Sequence, residues 1–278
     1  MALANFDNAF KKIWSDRTIV NFNTKTVFGA LANRDYEGDA KQGSSVIINT
    51  LGDLYLSDYS TAIANGQMTS SDFDMTSQSL NIDRWFYINK RIDDLSKVWG
   101  NADTVEKLVN KGGAAIASHI DSYMASLHTG FTKSGSFGTD TASAYVYDQV
   151  ANIATSLMNN GVPVQEGECF VIVPPEAATA MAKDARFTNH IQYLQNGLID
   201  GGKVNNLQVY VSTNAPTSAS GYWYIGGHPS AWALAVAIQE VRIIPNPAMF
   251  GDLMQALVVY GAKVINQNGL YKTGVRIV

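Results

Sequence analysis

The chain has 278 residues, 46% of them hydrophobic and 16% charged, with a formal net charge of -4. That length and hydrophobic share suffice for one large domain or two modest ones with real cores, while the negative balance argues against a dedicated nucleic-acid binder, which would carry a basic patch or an alkaline pI. The single cysteine, Cys169, excludes a disulfide framework within the chain. Charged residues fall below the roughly 25% of an ordinary soluble domain, and a surface short of charge suits a protein whose surface is covered by partners.

The N-terminus, MALANFDNAFKKIWSDR, lacks the basic start and continuous apolar stretch of a signal peptide. Over Asn5 to Arg17, Phe6, Phe10, Ile13 and Trp14 recur at helical spacing, an amphipathic arm whose aromatic face is expected to dock on protein rather than on membrane. No run of about 18 apolar residues follows, so no membrane span is expected.

Ser44 to Asp83 reads as a ribbon of two extended segments, with Asn65-Gly66 and Thr69-Ser70-Ser71 marking a loose tip. Strands of roughly 15 residues would reach about 50 Å. A lone two-stranded ribbon is marginal in water, and this one has too few large apolar residues for a core of its own. It is therefore expected to order only against a neighbouring molecule, with Tyr59 and Phe73 as candidate assembly residues alongside Trp14 of the arm.

In RWFYINKRI, Trp85 and Tyr87 alternate with Phe86 and Ile88, so both faces are apolar and a strand covered on both sides is expected. A long helix follows, from about residue 103 to 129. Asp103 is its expected N-cap, Glu106 completes a capping box, and Val105, Leu108, Val109, Gly112, Ile116, Ile120, Tyr123 and Leu127 form one stripe. The Gly112-Gly113 pair in its middle costs about 2 kcal/mol relative to two alanines, which implies either close backbone packing or a place to bend.

After the loop of residues 130–143, helix and strand alternate. Tyr145 to Asn159 reads as a helix ended by Gly161, Glu168 to Val173 as a strand, and Pro174-Pro175 as the start of a second helix running to about Phe187. LQVYVST and YWYIGG read as strands, and the apolar run Ala231 to Ile244, broken by Pro245 and Pro247, reads as either helix or strand, with strand preferred. LVVYGAKVI and LYKTGVRIV flank Asn268-Gly269 and predict a hairpin.

Chemistry-bearing patterns are sparse. His119, His128, His190 and His228 show no metal spacing, and no HExxH, CxxC or GxSxG occurs. His119 and Asp121 point to different faces of the long helix, and Ser118 beside His119 cannot face it. The glycine pairs fit no phosphate-binding pattern. Cys169 lies in the apolar run ECFVIVPP and reads as a buried thiol. Tyr222-Trp223-Tyr224 could stack sugars or bases, but an alternating strand is the commoner explanation. No catalytic residue, cofactor or metal is expected.

The order of parts carries more than any motif. LNIDRWFYINKRIDD with TVEKLVNKGGAAIASHIDSYMASL, GVPVQEGECFVIVPPEAATAMAKDARF with GLIDGGKVNNLQVYVSTNAP, and FGDLMQALVVYGAKVINQNGLYKTGV together resemble the major capsid proteins of tailed bacteriophages, of the Hong Kong 97-like fold. The resemblance implies an α+β fold. Residues 1–43 would form an N-terminal arm and 44–83 an extended β-hairpin loop overlapping a neighbouring subunit. Residues 84–143 and 241–278 would form a peripheral domain with a spine helix at about 103–129, and 144–240 an axial domain.

It further implies self-assembly into pentamers and hexamers of an icosahedral shell enclosing double-stranded DNA, contacted without sequence preference. Portal and scaffolding proteins, and a decoration protein, are the implied partners. The chain would be made in the host cytoplasm and reside in the virion. Gly112 and Gly113 become candidate hinge residues. The rival readings are an encapsulin-like nanocompartment shell and, from another class, a hydrolase or carbohydrate-binding module using Tyr222 to Tyr224 with His190 or His228.

Overall fold

The computed structural model describes residues 26–40, 44–51, 58–60, 63, 75–92, 102–137, 143–183, 192–193, 198–247 and 250–276. The first strands, β1 (Ser45–Leu51) and β2 (Met75–Asn81), pair antiparallel from Ser45↔Asn81 to Leu51↔Met75. The chain continues into β3 (Arg84–Ile92) and a long helix, α1 (Ala102–Ser126), closed by a 3-10 turn at Leu127–Gly130. Then come α2 (Ser143–Asn159), β4 (Phe170–Val173) and α3 (Pro175–Ala182), followed by β5 (Gln192–Tyr193), β6 (Leu198–Val204), β7 (Leu207–Val211), β8 (Thr217–Ser218) and β9 (Gly221–Gly227). The chain ends in β10 (Trp232–Pro245), β11 (Asp252–Val264) and β12 (Leu270–Val275).

The strands form three sheets. One is the β1-β2 ribbon, the second has the order β10-β11-β3, and the third has the order β12-β9-β4-β7-β6-β5 with β8 paired to β9. Among the described strands the pairings are antiparallel except β4 with β7, which α3 connects in part. The expected boundary at residue 240 falls inside β10, and β12 joins the third sheet, not the sheet of its neighbour β11.

Aliphatic side chains explain this partition. On α2, Val146, Val150, Ile153, Ala154 and Leu157 are buried at i, i+3, i+4 and i+7 spacing, and they pack with Ala177, Ala178 and Met181 of α3 against Val171, Val173 and Val209 of the third sheet. Gly161 ends α2 at φ +82, a conformation suited to glycine. Trp232 joins the two larger sheets: its ring stacks on Phe170 at 5.5 Å, and its Nε1 donates to the Leu31 carbonyl at 3.0 Å.

Asn268-Gly269 does not make the expected hairpin. β11 lies between β10 and β3, whereas β12 pairs with β9 from Leu270↔Gly227 to Val275↔Tyr222. A two-residue hairpin turn of this type needs positive φ at its centre, and neither residue has it. Instead the Asn266 side chain accepts the Asn268 N–H at 2.9 Å in a 3-10 turn, and Gly269 sits so close that a Cβ there would lie 2.6 Å from the Ala231 Cβ. The turn is a corner between sheets.

The helix α1 begins one residue before Asp103, so Asp103 lies inside the first turn instead of capping it, and the side chains of Asp103 and Glu106 fall outside the described residues. Its most buried face is Ala117, Ile120, Asp121 and Met124, with Ile116, Tyr123 and Leu127 of the expected stripe only partly covered. At Gly112, a Cβ would stand 3.8 Å from Ile88 Cδ1, an ordinary contact. Close packing therefore does not require glycine there. Gly112→Ala is expected to stabilise the subunit by about 1 kcal/mol through helix propensity, read as a higher thermal midpoint; a lower midpoint would contradict this.

Candidate assembly surface

The ribbon meets the rest of the chain through its base. Val46, Ile48, Leu80 and Ile82 are buried and pack on Ala233 and Ala235 of β10 and Val259 of β11. Lys263 Nζ donates to the Ser79 carbonyl at 2.9 Å, and Gln78 Nε2 to the Ile265 carbonyl at 3.0 Å. The expectation of a ribbon ordered only by a neighbour thus needs correcting at the base, which its own sheet holds. The alternation Val46-Ile47-Ile48 explains it: two side chains go inward, while Ile47 is 69% exposed. The tip residues 52–57, 61–62 and 64–74 lie outside the described residues.

The expectation of a doubly covered β3 is also corrected. Trp85 is 66% and Tyr87 77% exposed. Among the described residues β3 is the edge of its sheet, paired with β11, and the ribbon base packs over the β10–β11 part of this face. Its Arg84, Phe86 and Ile88 face α1, where Phe86 lies 4.1 Å from the His119 ring and Arg84 sits 4.9 Å over Tyr123. Trp85 and Tyr87 point to the opposite face.

That opposite face is the one the ribbon base covers. The register sets Trp85 opposite Val259 and Tyr87 opposite Leu257, and Val259 belongs to the ribbon-base core. One half of the face is therefore closed by β1 and β2. The other half, carrying Trp85, Tyr87, part-buried Leu257 and Leu253, and the Arg242–Gln255 hydrogen bond of 3.0 Å, is open within the described residues. An apolar patch continuous with a core and rimmed by polar groups has the anatomy of a protein interface.

The remaining candidate residues scatter. Tyr59 is 66% exposed on a short turn whose Ser60 N–H is held by Asp58 Oδ1 at 3.0 Å. Gly112 and Gly113 lie on α1, near β3 and away from Tyr59 in sequence and sheet. Trp14 and Phe73 lie outside the described residues. Phe250, 90% exposed at the β10-β11 turn, is a further surface aromatic that the sequence pattern did not mark.

The structure also adds Asp121. It is buried at 1% exposure and accepts the Val27 N–H at 2.7 Å and the Gly29 N–H at 3.1 Å, tying residues 27–29 to α1. Burial pushes its carboxyl up to about 6, against the opposing pull of those backbone donors. The folded-state value lies above that of the unfolded chain, so the folded state holds the proton more tightly. The stability gained is full below pH about 4 and is lost as pH rises through about 6. Relative to Asp121→Asn, the wild type should gain about 3 kcal/mol of unfolding free energy as pH is lowered from about 7 to about 3.5. A difference that stays flat or runs the other way in denaturant titrations would contradict the assignment.

The described histidines make structural contacts. His119 Nδ1 hydrogen-bonds the Tyr260 hydroxyl at 2.8 Å, and His128 Nδ1 the Ala125 carbonyl at 2.8 Å. His228 Nδ1 meets Ser230 Oγ at 2.7 Å and accepts the Ser230 N–H, closing the turn at Pro229–Ala231. His190 lies outside the described residues. The ring of Trp223 is engaged by Phe137 at 4.5 Å and Lys272 at 5.1 Å, and Tyr224 is buried, so neither offers an open ring face to a sugar. Burial pushes the Cys169 thiol up to about 11, so its thiolate is scarce at neutral pH. Among the described residues no group of three or more His, Cys, Asp or Glu could hold a metal ion, and no described helix is long and apolar enough to cross a membrane.

Comparison with known proteins adds to this geometry. A family model described as phage capsid protein matches residues 86–273. A solved structure from Mycobacterium phage Che8 is 26% identical, with a TM-score of 0.68, covering 89% of this chain and 90% of that chain. The mature capsid of bacteriophage PhiM1 is 11% identical, with a TM-score of 0.65, over 90% of this chain and 87% of that chain. A virus-like particle from Pyrococcus furiosus is 11% identical, with a TM-score of 0.61, over 95% and 99%. No curated protein matches in sequence.

Proposed function

Because the chain belongs to the phage capsid protein family, we propose that it builds, through the open half of its three-stranded sheet, the pentamers and hexamers of an icosahedral shell enclosing double-stranded DNA. It is a structural protein of the virion with the Hong Kong 97-like fold, and it assembles with itself into a shell. In the proposed arrangement the ribbon leaves its own sheet at β1-β2 and its distal part lies on a neighbour's Trp85-Tyr87 face. The sheet of β3, β10 and β11 with α1 serves as the peripheral domain. The third sheet with α2 and α3 serves as the axial domain around five-fold and six-fold axes. Gly112 and Gly113 allow α1 to bend in a precursor shell.

The observation that carries this reading is the outward placement of Trp85 and Tyr87 beside the anchored ribbon base. Two large aromatics exposed on a sheet edge are a liability in a free monomer and an anchor in an interface. With a net charge of -4, the subunit would hold DNA weakly and without sequence preference. Portal, scaffolding and decoration proteins are further proposed partners, and synthesis in the host cytoplasm the proposed origin. The likeness to the Pyrococcus furiosus particle is one of fold alone, so a cargo-loaded compartment has no specific observation behind it. The test is to isolate particles built from this chain during infection. Double-stranded DNA protected from nuclease inside them supports the proposal; particles holding only protein cargo, or a chain that never leaves the monomer, would overturn it.

A further inference from the structure

A cavity of about 170 Å³ opens between β3 and α1, on the opposite side of the sheet from the open face described above. Its walls are Phe86, Ile88, Ile116, His119, Val258 and Tyr260. His119 Nδ1 and the Tyr260 hydroxyl hydrogen-bond each other at 2.8 Å, and the rest of the wall is mostly hydrocarbon and aromatic ring. An enclosed apolar cavity of about 150 Å³ takes up a benzene-sized ring, and this one, open at its mouth, has room for one such ring entering from outside. This cavity needs an aromatic or aliphatic guest to be filled.

The chain itself carries a suitable guest at a suitable distance. Residues 1–25 lie outside the described residues, and the chain enters them at Thr26, whose neighbours Val27 and Gly29 are tied to Asp121 of α1. Phe6, Phe10, Ile13 and Trp14 recur at i, i+4, i+7 and i+8, the spacing with which an amphipathic helix fills an apolar groove. With about 100° per residue, Ala115, Ile116 and His119 lie on roughly the opposite side of α1 from Asp121. Half the circumference of a helix about 10–12 Å across is roughly 17 Å, while residues 18–25 can span up to about 26 Å. A tether that short holds its end at roughly millimolar effective concentration, so the segment of the same molecule outcompetes that of a neighbour at low protein concentration.

We propose that residues 5–17 of the same chain seat their aromatic face in the cavity between β3 and α1, capping the free subunit. Trp14 and Phe10 are the anchors. The cap shields Phe86 and Ile88, and it stands independently of how the shell is built.

The test uses the full chain at a concentration where it is monomeric, with a photoreactive benzoylphenylalanine placed at Ile116 or, as a second variant, at Ala115. Illumination followed by peptide mass spectrometry should give cross-links to residues 5–17 in a product of monomer mass. Phe10→Ser with Trp14→Ser should lower that yield by roughly tenfold or more. Cross-links to residues 52–74, a product of dimer mass, or no protein adduct from either well-folded variant would overturn the proposal, and so would an unchanged yield in the double variant. None of these outcomes bears on whether the chain forms a shell.

Discussion

Replacing Gly261 with alanine should detach the ribbon from the body of the subunit. A Cβ at Gly261 would overlap the Asn81 carbonyl oxygen and come within 2.9 Å of the Asn81 carbonyl carbon and 3.0 Å of the Ile82 Cα. These are backbone atoms, so no side-chain rotation relieves the clash; β2 must lift as a whole. Lifting it exposes Val46, Ile48, Leu80 and Ile82 and breaks the Lys263 and Gln78 hydrogen bonds to the ribbon and its flank. Each fully buried aliphatic side chain contributes about 1.5–3 kcal/mol, so the substitution should cost about 4 kcal/mol or more. Hydrogen exchange should quicken at residues 45–51 and 75–82 while α2 and β4, which sit in a separate core, keep their protection. Unchanged exchange in the ribbon strands would contradict the packing described for its base.

The second large effect separates folding from assembly. Trp85→Ser with Tyr87→Ser removes two side chains that are mostly exposed in the single subunit. Exposed substitutions usually change stability by no more than about 0.5 kcal/mol each, so the subunit should unfold at nearly the wild-type midpoint. Central aromatic anchors at interfaces contribute about 2 kcal/mol each. Together that is roughly a 10³-fold rise in the concentration needed to form particles. Sedimentation should show intact monomers where the wild type forms shells. Particles that form at the wild-type concentration would show that this face is not a contact.

The parts of the fold written in periodicity were legible from the chain. α1 was expected at about 103–129 and occupies Ala102–Ser126; α2, β4, β7, β9 and β10 also fall where apolar spacing put them. Three features were not legible, each because it depends on a distant partner. Asp121 reads as an ordinary helix residue until residues 27–29, more than 90 positions away, present their N–H groups to it. Asn268-Gly269 has hairpin chemistry, but β12 is drawn into another sheet by its pairing with β9. RWFYINKRI is apolar on both faces, yet Trp85 and Tyr87 are exposed, because which part of that face is covered depends on where β11 and the ribbon base lie. Of the candidate assembly residues, Tyr59 is exposed, and Trp14 and Phe73 lie outside the described residues.

One surface is expected to change environment between the free subunit and the shell. Cryo-electron microscopy of assembled particles, at a resolution that shows side chains, measures it directly. The account predicts that Trp85 and Tyr87 are buried under the distal ribbon of an adjacent subunit, with the β1-β2 base still seated on its own Val259 and Ala235. Trp85 and Tyr87 left open to solvent throughout the shell, with the ribbon folded over its own subunit, would contradict it.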